Sequence, residues 1–374
     1  MIKFGKLIYD FFLHPMRIFF LYGGAFALIG VGVLLSEIDG YVSLHQFIFI
    51  ELFCAAAFAG FLFTALPDWT HYDKSLLPYS IIGFILLSLA FIFIIFEFNA
   101  RVIMVIFWLF LLFCTIYWLI RDKKYTHYSL VVILSSIAGI EIYSLFYVYK
   151  PYALIHCYSA AITVIGFRVS VVLAQLALEA KYTKESPYTF IPNPILKNIS
   201  FIALLALVFC QMVDITPALN GFVALSAGLA LLSKSGQWMH LVLLKKHYSL
   251  IYFLLLLGSG FIYTALGLNY IFEFTSISAL LHGIAIWVLM GFIFLIFNVS
   301  SLRHSGQLVL NFPICGKIGF IFLAIAALSR GFLYQYSYSF YIVIPSIFVG
   351  LVFLIFVVRY FIIYKNNPFS NDPK

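Results

Sequence analysis

The stretch "LLHGIAIWVLMGFIFLIFNVSSLRHSGQ", residues 280–307, has His282 near one end and His304 near the other, and Arg303 is the only charged residue between them. The two histidines are 22 residues apart, about 33 Å along a helix at 1.5 Å per residue. A bilayer's hydrocarbon core is about 30 Å thick. The segment therefore reads as one membrane crossing, and its two imidazoles belong to opposite faces. They cannot share a metal ion unless the helix breaks.

The rest of the chain has the same character. Of its 374 residues, 64% are hydrophobic and 20% aromatic, and only 10% are charged, well below the roughly 25% of soluble domains. No soluble core of this size can hide so much apolar surface. The expected fold is all-α, a polytopic transmembrane helical bundle and a single integral membrane domain over 1–374, with a short polar tail at 365–374. Apolar runs of spanning length fall at 17–35, 43–66, 77–96, 101–120, 129–149, 152–177, 197–213, 218–233, 248–270, 277–299, 316–334 and 338–363. The seventh and eighth are short and leave a re-entrant hairpin open as an alternative. No ten-residue alternating pattern of a membrane barrel occurs.

The net charge of +8 is no nucleic-acid signal, because the basic residues sort by loop. With twelve spans, 18 of the 22 lysines and arginines fall on the side of the two termini. Only Arg101, Lys150 and Arg330 fall on the other side, and Arg168 lies within a span. That asymmetry places both termini in the cytoplasm. Localisation in a bacterial inner membrane, with the lipid bilayer as the first partner, is the corresponding expectation. The five cysteines lie in or beside apolar runs without a C-x-x-C, so neither a disulfide framework nor a zinc knuckle is indicated. No cleavable leader is legible at the N-terminus.

Orientation also sorts the nine histidines. His45, His156 and His282 each begin a different span from the outer side. His14, His71, His127, His240, His247 and His304 fall on the cytoplasmic side. Imidazoles at the ends of several helices are how haem and copper sites are built in bundles; an interfacial ring with no ligand role is the bland alternative. Charges buried within spans are costlier and mark function or pairing. These are Glu51, Glu141 and Arg168. Arg168 has three open roles: a partner for Glu51 or Glu141, a partner for a haem propionate, or an anion-binding group.

Other chemistry is absent from the sequence. There is no Gly-rich phosphate loop, no G-x-S-x-G and no H-E-x-x-H. No two histidines are adjacent and none has a tyrosine four residues later, which argues against an oxidase core. No catalytic residue set is legible, and no enzymatic activity is expected from the motifs.

Three phrases carry a family resemblance. "GFLFTALPDWT" (60–70) is similar to the "GFLLTAVPNWT" signature of the NnrS family. Residues 280–307 resemble that family's late segment, where "LH" opens a span and "S-L-G-H-T-G-R" closes it. "HPMRIFFLYGGAFALIGV" (14–31) resembles its N-terminal "RPFFLGGALFAL". Weaker echoes are "VIGFRVS" (164–170) and "LKKHYSLIYFLLLLG" (244–258). The resemblance implies a membrane protein that binds haem b and copper and mitigates nitric oxide stress, with nitric oxide or another diatomic molecule as ligand. It brings His45, His247, His282, His304 and Arg168 forward as family-motif positions, and His45 and His282 as metal ligands; the outer-side pattern adds His156 as a cofactor ligand. Two departures stand out. The family's "H-A-H-E" reads His45-Gln46-Phe47-Ile48 here, and its "T-G-R" reads Ser305-Gly306-Gln307. The remaining alternatives are a secondary transporter with Arg168, Glu51 and Glu141 lining a midplane site, and an assembly factor without a cofactor of its own.

Overall fold

A computed structural model describes residues 2–36, 38–123, 127–179, 190–306 and 310–367. Gln307, Lys124, Lys181, Lys184 and the tail beyond 367, all used in reading the sequence, lie outside the described residues. Among the described residues, twelve helices are long and apolar enough to cross a membrane. A helix α1 (Ile2–Leu13) precedes them. They are α2 (Pro15–Ser36), α3 (Tyr41–Trp69), α4 (Leu77–Ile95), α5 (Arg101–Arg121), α6 (Tyr128–Phe146) and α7 (Pro151–Glu179). Then follow α8 (Pro194–Met212), α9 (Pro217–Gly236), α10 (His247–Phe272), α11 (Ile277–His304), α12 (Ile314–Leu333) and α13 (Ser339–Asn366). All twelve coincide with the apolar runs. α8 and α9 have 19 and 20 residues, about 30 Å each, so each is long enough to cross by itself.

Local chemistry sets the helix boundaries. Prolines stand in the first turn of α2, α4, α7, α8 and α9, where the missing N–H leaves no bond unmade. His71, Glu97, Lys123, Asp214 and Glu273 adopt positive φ just past α3, α4, α5, α8 and α10. That left-handed residue stops each helix. Within the crossings the backbone is not uniformly α. Residues Ile48–Phe53 of α3, Ile284–Met290 of α11, Ser329–Leu333 of α12 and Ser339–Val343 of α13 are π-helical.

The chain groups into two compact units. The first comprises Met1–Tyr149, Ser300–Gly306 and Val349–Lys374. At its centre, α3 is buried along most of its length and packs against α2, while α5 and α6 form a helical hairpin. Arg17 on α2 donates to the carbonyls of Tyr364 (3.3 Å) and Asn367 (2.7 Å), tying the two termini of this unit together. The second unit comprises Lys150–Val299 and Gln307–Phe348. Its closest helix pair is α9 against α10. There, a Cβ built on Gly228 would stand 2.5 Å from the main-chain nitrogen of Thr264, and one on Gly267 would stand 2.6 Å from that of Leu225. In lipid, such close approach between small residues supplies the association energy that the hydrophobic effect supplies in water.

Candidate functional site

In the first unit, His45 lies in the last α-helical turn of Tyr41–Phe47, immediately before the π-helical part of α3. Its Nδ1 is 3.1 Å from the carbonyl oxygen of Gly30 on α2, and its ring meets Phe49 edge-on at 4.9 Å. An imidazole facing a carbonyl must present N–H to it, so the lone pair lies on Nε2. His282, in the second unit, repeats the arrangement. It lies in the last α-helical turn of Ile277–Gly283, before the π-helical part of α11. Its Nδ1 donates to the Ser278 carbonyl at 2.7 Å. Metal-bound histidines are commonly oriented by such a bond from the other ring nitrogen.

His156 on α7 is fully buried. Its Nδ1 is 3.1 Å from the Tyr263 hydroxyl, and its Nε2 has no hydrogen-bond partner among the described residues. A buried imidazole nitrogen left unsatisfied is costly, and ligation would satisfy it. α7 packs against the π-helical part of α11, so the helices carrying His156 and His282 touch.

The other histidines are placed differently. His247 is exposed at the start of α10, and His304 is half-buried at the end of α11. The two belong to different units. His71 is exposed and faces Asp122 at 3.4 Å. His127 is buried and stacks on Trp69. His14, half-buried between α1 and α2, has its pKa pulled down to about 3, first by burial and then by Arg17 and His304. Among the described residues, no group of three or more His, Cys, Asp or Glu stands close enough to hold a metal ion.

The buried acids form a second constellation in the first unit. Glu51 and Glu141 are both fully buried. The Tyr149 hydroxyl donates to Glu51 Oε1 at 2.9 Å, and Arg101 Nη1 is 3.8 Å from the same oxygen. The Arg101 guanidinium also lies over the Tyr149 ring at 3.6 Å. Burial, reinforced by both carboxyls, holds the Tyr149 phenol well above its ordinary pKa, so it stays a donor. The cation beside the carboxyls is thus Arg101. Arg168 is half-buried in α7 of the other unit, where Lys197 feels its charge.

Reading the sequence missed two groups here and one elsewhere. Arg101 begins a helix and Tyr149 lies in the connection between α6 and α7, where a cation and a phenol carry no signal of their own. Lys234, counted there among loop cations, is instead buried at the end of α9 and donates to the Thr163 carbonyl at 3.2 Å. It lines a cavity of about 10 Å³ with Ser159, Tyr252, Ser259 and Tyr263, room for roughly one water.

The family model described as NnrS protein matches residues 10–366. The chain belongs to the NnrS family. No curated protein and no solved structure matches it. As an NnrS-family member it is a multi-pass membrane protein, and the match takes in α2 to α13, with every histidine discussed above.

Proposed function

We propose that this NnrS-family protein binds haem b in the bacterial inner membrane and acts in the response to nitric oxide, with His45 in the first unit and His282 in the second each a candidate haem ligand. One observation carries the reading. Both histidines close a short α-helical stretch that runs straight into a π-helical turn, and both turn Nδ1 to a main-chain carbonyl. That holds the ring in the tautomer with its lone pair on Nε2, as ligation requires. π-Helical turns inside α-helices occur frequently at functional sites. His156 offers a further imidazole, with Tyr263 fixing its Nδ1 and a buried Nε2 in need of a partner. Arg168 is the group suited to a propionate. A haem held by one of these histidines would leave its iron an open position for a diatomic ligand. For copper the support is thinner, because three donors do not converge among the described residues. His247 and His304 keep their family-motif positions as a second candidate set.

Absorption spectra of detergent-purified protein test the reading: oxidised, reduced and exposed to nitric oxide. The expected result is a Soret band that shifts with nitric oxide. It should be abolished or altered by His45→Ala and by His282→Ala, and unchanged by His71→Ala. A colourless preparation from haem-replete cells, or an unchanged spectrum in both outer variants, overturns it. A second reading, secondary transport, draws on the buried Glu51, Glu141 and Arg101 cluster, and uptake by haem-free protein in vesicles would favour it.

A further inference from the structure

Two carboxyls buried within a membrane protein need an account that ligand histidines do not supply. Glu51 stands in the π-helical turn Ile48–Phe53, and Glu141 stands on α6. The two carboxyls interact directly, each lying in the field of the other. Glu51 Oε2 and both Glu141 oxygens find no N–H or O–H donor among the described residues. Ionised carboxylates are acceptors only, so two of them face each other favourably only when a proton lies between them. The surrounding charge points the same way. Arg101 is the cation at the pair, against two acids. With both acids ionised the cluster would carry a net negative charge out of water; with one proton bound it is neutral.

The remaining titratable groups do not change that count. Cys54 lies within the field of Glu51, one turn along α3, and Tyr149 donates its proton to Glu51. The neighbouring helices α2 and α4 bring Arg17, Tyr22 and Tyr79, and α5 brings Cys114, Tyr117 and Arg121, the last paired with Asp73. Arg17 bonds to the main chain of Tyr364, Tyr22 to Ser88 and Tyr79 to Tyr72. On α6, Tyr143 stacks on Tyr147.

We propose that Glu51 and Glu141 share one exchangeable proton, making a proton-binding site within the first unit whose mouth is Arg101 and Tyr149. Arg101 is the first residue of α5, and about a quarter of its side chain is exposed, so the pair lies one guanidinium away from the surface. On release, the carboxyl O–H bond breaks, its electron pair stays on the carboxylate oxygen, and the proton passes to water at that mouth. Arg101 then faces two carboxylates. Tyr149 fixes Glu51 Oε1 by its own hydrogen bond and leaves Oε2, which has no donor among the described residues, for the shared proton.

Infrared difference spectroscopy of the full-length purified protein, titrated in pH, reads the carboxylic-acid C=O band directly and needs no haem. The wild type should show one protonated carboxyl at neutral pH that disappears as pH rises. Each single variant, Glu51→Gln or Glu141→Gln, should lose that band at neutral pH, because the remaining carboxylate then has Arg101 to itself. Tyr149→Phe should keep the band and shift its frequency. A wild type without the band overturns the proposal. So does a band that survives in either single variant, which would mean one carboxyl protonated by burial alone. Loss of the wild-type band on adding sodium at constant pH would make the pair a metal-cation site and also overturn it. Glutamine has the shape of the protonated acid, so the variants retain the packing, and Tyr149→Phe tests the site without touching either acid.

Discussion

His14 shows how one residue's surroundings become a property of the protein. Its folded-state pKa of about 3 lies below the ordinary 6.5, with burial as the main cause and Arg17 and His304 adding repulsion. The unfolded chain therefore binds a proton that the folded chain refuses between those two values. Stability linked to His14 is complete above about pH 6.5 and is lost as pH falls toward 3. Thermal melts of the detergent-solubilised protein at pH 7 and pH 4.5 should show a smaller acid-induced drop in Tm for His14→Gln than for the wild type. Equal drops would refute the assignment. The candidate acids were legible at the same scale, because Glu51 and Glu141 interrupt apolar runs. Their partners were not. A cation at a helix start, such as Arg101, looks like any interfacial residue, and only tertiary contact brings it over the ring of Tyr149.

At the scale of elements, two stretches rich in small residues, "GGAFALIGVG" (23–32) and "CAAAFAGF" (54–61), are packing faces. A Cβ on Gly24 would stand 2.5 Å from Val357, and one on Gly60 would stand 2.7 Å from Phe20. In both cases the nearest obstacle is a side chain and not the main chain. The tighter contact is α9 on α10, where Gly221 and Gly228 meet Gly260 and Gly267 with main chain against main chain. Glycines seven residues apart on each of two consecutive helices were visible as letters. Their facing one another was not, because register between helices is a tertiary fact. Gly228→Leu should destabilise the protein by about 1–3 kcal/mol or more, because backbone cannot move aside as a side chain can. Gly236→Leu, with open space at its Cβ, should melt like the wild type. Comparing the two Tm values decides whether contact or mere glycine loss matters.

For the whole molecule, the membrane architecture was the most legible property, since span number follows from length and hydropathy alone. All twelve runs became helices, including the doubtful pair α8 and α9. An even number of crossings would put both termini on one side, and the excess of basic residues makes the cytoplasm the side expected for them. Reporter fusions at the N- and C-termini should both be active in the cytoplasm; opposite behaviour of the two would mean an odd number of crossings. Two refinements escaped the sequence. Lys234 is buried although it was assigned to a loop, because one lysine after a spanning run looks like a flank. The π-helical turns left no trace either, because an extra residue in a helix does not change its composition.

Those π-helical turns bear on how this chain is to be aligned with its relatives. A π-helical turn accommodates one residue more than an α-helical turn, with the helix on either side left in register. Between family members a single-residue insertion or deletion can thus fall at 48–53 or 284–290 while the flanking packing survives. Spacing counted within the short stretches Tyr41–Phe47 or Ile277–Gly283 is a reliable ruler for matching His45 and His282. Spacing counted from those histidines across the turn, as from His45 to Glu51, is not, and an acid one position out of step in a relative can occupy the same place in space.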